Sequence, residues 1–158
     1  MNAERQDDPP PRSAEQRKLD TLDRLEHDVD AWVATADGAS GAPYLVPLSF
    51  LWDGTALLIA TPASSPTARN LRATGRVRLG IGPTRDVVLI EATAHPLATT
   101  ELRHELADAF AAKAGFDPRK LGSPYLYVRI EPQRVQAWRE ENELEGRELM
   151  RDGRWLVR

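Results

Sequence analysis

The residues with the most chemical potential lie in one run, Thr61-Pro62-Ala63-Ser64-Ser65-Pro66-Thr67-Ala68-Arg69-Asn70. An apolar stretch ends there, hydroxyls cluster, and Ser65-Pro66 has the residue types that cap and begin a helix. The first N–H groups of a helix lack internal partners and carry partial positive charge. Pro66 removes one donor, so Thr67 and Ala68 are expected to supply the rest. Hydroxyls of Ser64, Ser65 and Thr67 and the charge of Arg69 would surround them. Such a combination can cradle a phosphate or carboxylate, although the same residues also suit an ordinary capped helix. Between positions 66 and 90, Arg69, Arg72, Arg76, Arg78 and Arg85 stand against Asp86 alone, in a chain of formal net charge −3. This local cationic excess points to an anionic ligand, while each arginine taken singly is an ordinary solvated side chain.

Other chemistries find little support. There is no cysteine, which excludes thiol nucleophiles, disulfides, Cys-ligated zinc and iron–sulfur clusters. His27, His95 and His104 stand apart, without the spacing of metal ligands. Gly80-Ile81-Gly82-Pro83-Thr84-Arg85 begins like a dinucleotide fingerprint but lacks the third glycine and a following helix, so it reads as a turn between strands. Neither a G-x-S-x-G elbow nor a P-loop occurs. Glu140, Glu141, Glu143, Glu145 and Glu148 are crowded into one stretch that reads as a solvated loop. Most of the tryptophans and tyrosines are expected in a core or interface. Trp138 differs, because Gln136-Ala137-Trp138-Arg139 sets it in polar company. The arginines have no interleaved aromatic residues and the net charge is negative, so a nucleic-acid surface ranks last. No apolar run reaches the roughly 18 residues of a membrane span, and MNAERQDDPPPR carries no apolar leader. A soluble, cytoplasmic protein without membrane contact is expected.

The elements that must position these residues follow from the periodicity. At 158 residues one domain is expected. Residues 1–12, with a triple proline, read as a disordered and dispensable tail, leaving a single domain over 13–158. Ser13-Ala14-Glu15-Gln16 reads as a capping box opening a helix over about 14–29, with Leu19, Leu22, Leu25 and Val29 along it. Strands are expected at 31–36, 44–52, 56–61, 77–82 and 87–95, with a longer, broken one at 125–139. Asp53-Gly54 and Asp152-Gly153 read as hairpin turns. Pro47 belongs at an edge or bulge, since it cannot donate to a ladder. A helix begins near Pro66 and stops at Gly75. Another spans 101–114, with Leu102, Leu106, Ala109 and Phe110 inward. This order lacks a βαβ series and fits a mostly antiparallel sheet of about seven strands, closed into a small barrel with helices outside.

Three stretches, AWVATADGASGAPYLVPLSFLWDG, ALLIATPASSPTARNLRATGRVRLGIG and RDVVLIEATAHPL, together resemble the flavin-binding split β-barrels related to pyridoxamine 5′-phosphate oxidase, including their deazaflavin-dependent branch. YLYVRIEPQRVQAW is a weaker echo. The resemblance implies a mainly β split barrel with flanking helices that forms a homodimer with cofactor sites at the subunit interface. It places the ring of FMN or coenzyme F-420 against the strands matching Val46–Phe50 and Leu58–Thr61, near Val46, Pro47 and Ser49. It places the phosphate at the helix start, near Thr61, Ser64, Ser65, Thr67, Arg69 and Asn70, the run already read as an anion cradle. The family often carries a lysine where this chain has Thr67, so Arg69 or Arg85 is expected to supply the charge. Trp138 completes the candidate set.

The expected function is therefore an oxidoreductase that moves a hydride through FMN or F-420 to or from a small organic substrate. That chemistry resides in the cofactor and needs no conspicuous acid, base or nucleophile from the protein. The Arg- and Ala-rich, Cys-free composition tilts the cofactor toward F-420. The alternative is a cofactor- or haem-binding module without turnover, for which His95 is the strand histidine available as an axial ligand.

Overall fold

Side chains alternate across a strand, and this alternation builds the core. In β1 (Asp30–Ala36) Ala31, Val33 and Thr35 face inward. In the computed structural model, which describes residues 8–158, inward residues meet from strand to strand around a ring. Val33 of β1 pairs with Val46 of β2 (Pro43–Trp52) on one side and with Leu79 of β4 (Arg76–Ile81) on the other. Leu79 pairs with Ile90 of β5 (Val87–Ala98), and Ile90 with Val135 of β6 (Tyr125–Trp138). Ile59 of β3 (Leu57–Pro62) pairs with both Phe50 of β2 and Val128 of β6. The β3–β6 pairing closes six antiparallel strands into a barrel, and Val33, Phe50, Ile59, Leu79, Ile90 and Val128 are all fully buried within it. A last hairpin, β7 (Glu148–Arg151) and β8 (Arg154–Trp155), extends the sheet beyond β6. Its two-residue turn has positive φ at both Asp152 (52°) and Gly153 (77°), the primed geometry that Asp-Gly favours.

The barrel is incomplete at one place. β3 pairs with β2 only at Phe50, Leu51 and Trp52. The preceding half of β2, residues 43–49, pairs with β1 alone. Pro47 lies in that half, where its missing N–H leaves no gap in a two-sided ladder. The break expected within 125–139 falls at Pro132. The β5–β6 register steps from Glu91↔Arg134 to Ala92↔Pro132, so Gln133 is the extra residue of a bulge.

Among the described residues three α-helices pack against the barrel. α1 (Ala14–His27) starts at Ser13, whose hydroxyl accepts from the Gln16 N–H at 3.1 Å. Only half of the expected capping box forms, since the Gln16 amide donates to Asp20. The helix ends two residues before the expected boundary, at an extended Asp28, and the Val29 carbonyl then accepts from Phe50 N–H. Leu22 and Leu25 enter the barrel core, but Leu19 is 60 % exposed; Arg17 and Thr21 take the buried positions on that face. α2 (Pro66–Thr74) buries Leu71 in the barrel and ends at Gly75, whose φ of 65° is the left-handed stop expected of a C-terminal glycine. α3 (His104–Ala114) packs Ala107 and Phe110 against Leu58, Ala60 and Tyr127 on the outside of the barrel. It begins three residues later than expected, because Glu101 closes a turn onto Ala98. Ala107, not Ala109, is its buried alanine.

The N-terminal segment departs most from expectation. Residues 1–7 lie outside the described residues, but Arg12, assigned to a dispensable tail, is bound. Its Nε and Nη2 donate to the two oxygens of Glu143 at 3.0 and 2.8 Å, and its Nη1 donates to Asp20 at 2.8 Å. Glu143 is only 3 % exposed, so the acidic stretch is not wholly solvated. Burial alone would raise its carboxyl, but hydrogen bonds from Arg12 and from the Arg139 N–H hold it at about 2. A carboxyl depressed in this way stabilises the fold above the ordinary glutamate range, and that contribution disappears as pH falls toward 2. Thermal melts should therefore show wild type losing stability between about pH 4.5 and 2, with Glu143→Gln losing less over that window. At pH 6 the variant should be about 3–5 kcal/mol less stable, because it leaves buried guanidinium charge without its partner.

Candidate functional site

The β3–α2 corner is built as its sequence implies. Thr61 ends the inward run of β3 at 2 % exposure. Its Oγ1 lies 2.8 Å from Ser65 Oγ, and Ser65 Oγ accepts from the Ala68 N–H at 3.0 Å. The Ser65 N–H donates to the Pro62 carbonyl, and Ala63 N–H donates to Pro124 O, which ties the loop to the start of β6. Two guanidiniums lie over the loop: Arg69 Nη1 donates to Ser64 O at 2.9 Å and Arg72 Nη1 to Ala63 O at 2.7 Å. Arg72 had drawn attention only as part of a charge excess, yet it sits one helical turn from Arg69, a spacing visible in the sequence.

The donors available to a ligand are fewer than the sequence suggests. Ala68 N–H is taken by the cap, so Thr67 N–H is the first-turn donor left without an acceptor among the described residues. The Thr67 side chain is 1 % exposed and Asn70 is 6 % exposed. Asn70 Nδ2 donates to Thr35 Oγ1 at 3.0 Å, pinning α2 to β1. Both are therefore turned away from the surface that a ligand would meet. Ser64, Arg69 and Arg72 are exposed. An exposed serine and two exposed guanidiniums at one corner fit the anionic tail of a flavin or deazaflavin.

The remaining candidates lie in two other places. On β2, Val46 is half-buried and faces inward, whereas Pro47 is exposed on the outer face, directly opposite Trp32. Ser49 Oγ donates to Asp30 Oδ1 at 2.7 Å. Trp32 is 54 % exposed, lies between Pro47 and Gly80 in register, and lines an open groove of about 560 Å³. Trp32 was expected in a core or interface, and its outward placement is decided by the parity of β1.

Arg85 and Trp138 meet at the far end of the barrel. Trp138 pairs with Val87 at the start of β5, and Arg85 donates through Nε and Nη2 to Glu140 at 3.0–3.2 Å. The Arg147 guanidinium stands 5.8 Å from the Trp138 ring centroid. The β3–α2 corner adjoins Tyr125, at the other end of the 14-residue β6, roughly 40 Å away along the strand. One chain thus does not bring Arg85 or Trp138 to the α2 N-terminus. His95 points outward on β5 at 55 % side-chain exposure, 3.4 Å from Glu131. Among the described residues no group of His, Asp and Glu converges as a metal site, and no helix is long and apolar enough to cross a membrane.

A split antiparallel barrel with a capped helix after its third strand agrees with one sequence family, whose model, described as pyridoxamine 5′-phosphate oxidase, matches residues 22–139. The chain belongs to the pyridoxamine 5′-phosphate oxidase family. Its fold recurs in solved structures of low sequence identity. An FAD-binding protein from Mesorhizobium loti superposes with a TM-score of 0.62 at 20% identity, covering 75% of this chain and 89% of that one. An F-420 reductase gives 0.57 at 15% identity, covering 72% and 93%. HutZ, a haem storage protein from Vibrio cholerae, gives 0.58 at 14% identity, covering 73% and 89%. Compared with curated protein sequences, the chain matches none. Solved structures that share this barrel thus differ in the ligand their names state.

The doubly bonded Ser65 hydroxyl gives the corner a testable signature. Ser65→Ala should lower stability by about 1 kcal/mol through loss of the cap. Ser65→Asp, which keeps a capping oxygen, should stay within a few tenths of a kcal/mol of wild type; urea denaturation measures both.

Proposed function

We propose that the chain is a cytoplasmic, homodimeric oxidoreductase that uses FMN or coenzyme F-420 to transfer a hydride to or from a small organic substrate. The observation that carries this reading is the β3–α2 corner, where Ser64, Arg69 and Arg72 are exposed around one loop and both guanidiniums donate to its carbonyls. Family membership places flavin-type ligands among the chemistry to test first, and the named relatives bind or use FAD and F-420. The bound cofactor supplies the hydride chemistry. The protein's residues hold its anionic tail at the corner and offer β2 from Val46 to Ser49 as a wall for the ring. With an uncharged, enclosed Thr67, the positive charge comes from Arg69 and Arg72. A haem-binding reading draws on the Vibrio cholerae relative. It is disfavoured here because His95, the strand candidate for an axial ligand, stands in solvent beside Glu131.

Dimerisation follows from the same geometry. The outer face of β1 and the unpaired half of β2 expose Trp32, Leu45 (58 %) and Pro47, a patch suited to a second copy. A second copy also offers a route by which Arg85 and Trp138 meet a cofactor held at the first copy's α2. Sedimentation should give about twice 17.6 kDa at micromolar concentration, and Leu45→Arg should shift it toward the monomer. A wild-type monomer there would contradict the assembly.

Titrations of FMN and F-420 test the cofactor reading. Removing one charge-assisted hydrogen bond costs about 1.5–3 kcal/mol, so Arg69→Ala should weaken binding roughly ten- to a hundredfold. Ser65→Asp should weaken it comparably while leaving stability unchanged. If wild type binds neither cofactor, or these substitutions leave both affinities unmoved, the oxidoreductase reading falls. A Soret band lost in His95→Ala would favour haem.

A further inference from the structure

The loop after β6 carries Trp138 at its start and Arg147 at its end, and the Ala137 N–H closes it on the Arg147 carbonyl at 2.9 Å. Its outward side presents the Arg147–Trp138 pair and Glu140, which receives Arg85. On its inward side lies the buried carboxylate of Glu143. Glu143 accepts the Arg139 N–H at 3.0 Å from within the loop, and from outside it the Arg12 N–H at 3.1 Å and both prongs of the Arg12 guanidinium. Arg17 of α1 fastens the same loop by its carbonyls, donating to Glu143 O at 2.8 Å, and more distantly to Ala137 O and Glu145 O. Asn142 Nδ2 donates to Pro9 O at 2.9 Å. The β4–β5 turn joins through Asp86, which accepts from Arg24 at 2.6 Å and lies 3.4 Å from Arg139 and 3.8 Å from Arg12.

A loop held by polar contacts, with few apolar side chains in the core, belongs to the low-stability part of a fold. Leu144 of this loop is 37 % exposed and supplies no such anchor. The two-pronged Arg12–Glu143 contact, with both side chains at or below 10 % exposure, is the tie with the geometry and burial to order it. We propose that Arg12 and Glu143 are positioning residues, forming a clasp by which the N-terminal strap 9–12 fixes the 138–147 loop and with it Trp138, Arg147 and Arg85 as one preformed ligand-facing surface. The proposal rests on the flavin reading for the identity of the ligand, but not for the clasp itself.

Hydrogen exchange on the full chain reads the clasp directly. In Arg12→Ala and in Glu143→Gln, amides of 139–147 should exchange at least tenfold faster and well before any amide of β1 or β4 exchanges, with the circular dichroism of the native state unchanged. Arg12→Lys should not restore the loop, because one ammonium cannot span both oxygens of Glu143 and reach Asp20. Affinity for FMN or F-420 should fall about tenfold in the same variants. Unchanged loop exchange overturns the clasp, as does exchange that rises equally across the barrel, and so does full rescue by Arg12→Lys. Faster loop exchange with unaltered cofactor affinity overturns the positioning role. If wild type binds neither cofactor, the flavin reading fails separately and loop exchange still decides the clasp.

Discussion

The pairing of β3 with β6 is the contact on which the rest of this molecule depends. Six residue pairs, from Leu57↔Ile130 to Pro62↔Tyr125, convert an open sheet into a ring and satisfy backbone groups that would otherwise form two edges. Closure also fixes where the ring is weakest. A strand only six residues long that pairs along its length with β6 cannot also follow β2 through all ten of its residues. Half of β2 is consequently left with one free side. The chain leaving β3 must turn at once into α2, whose Leu71 fills the barrel interior. The corner, the free half-strand and the exposed Trp32–Pro47 face are therefore products of one closure.

Charge is used in two different ways at the two ends. At the β3–α2 corner the arginines are exposed and donate to loop carbonyls. Such contacts are readily exchanged for an anion because little is lost when the guanidinium turns outward. At the far end Arg12, Arg17 and Glu143 are enclosed. There the cost of removing ions from water is offset only while each keeps its partners. The first arrangement suits a ligand that comes and goes, and the second suits a loop that must hold one shape.

Much of this was legible in the sequence, for local reasons. The positions of β1, β4 and β5, the Ser65-Pro66 start and Gly75 stop of α2, the Asp-Gly turns and the break within β6 depend on a residue's own backbone preferences and its near neighbours. So does the gathering of hydroxyls and cations beside the start of α2. The errors are equally local in origin. Leu19 belongs to the apolar spacing of α1 yet is exposed, because the buried face carries Arg17 and Thr21, and Arg17 meets a loop more than a hundred residues away.

The sequence by itself determined the succession of strands and helices along the chain, the helix boundaries to within a few residues and the placement of hydroxyls beside a helix start, because hydrogen-bonding and φ preferences act over a few residues. Only the tertiary structure decided which way those side chains face. Thr67 and Asn70 are consumed in packing because α2 lies against β1. Arg85 and Trp138 are parted from the corner by the length of β6. Arg12 became structural because barrel closure brings Glu143, 131 positions along the chain, to within hydrogen-bonding distance. Burial and long-range pairing depend on the whole ring having formed, and no window of sequence contains that ring.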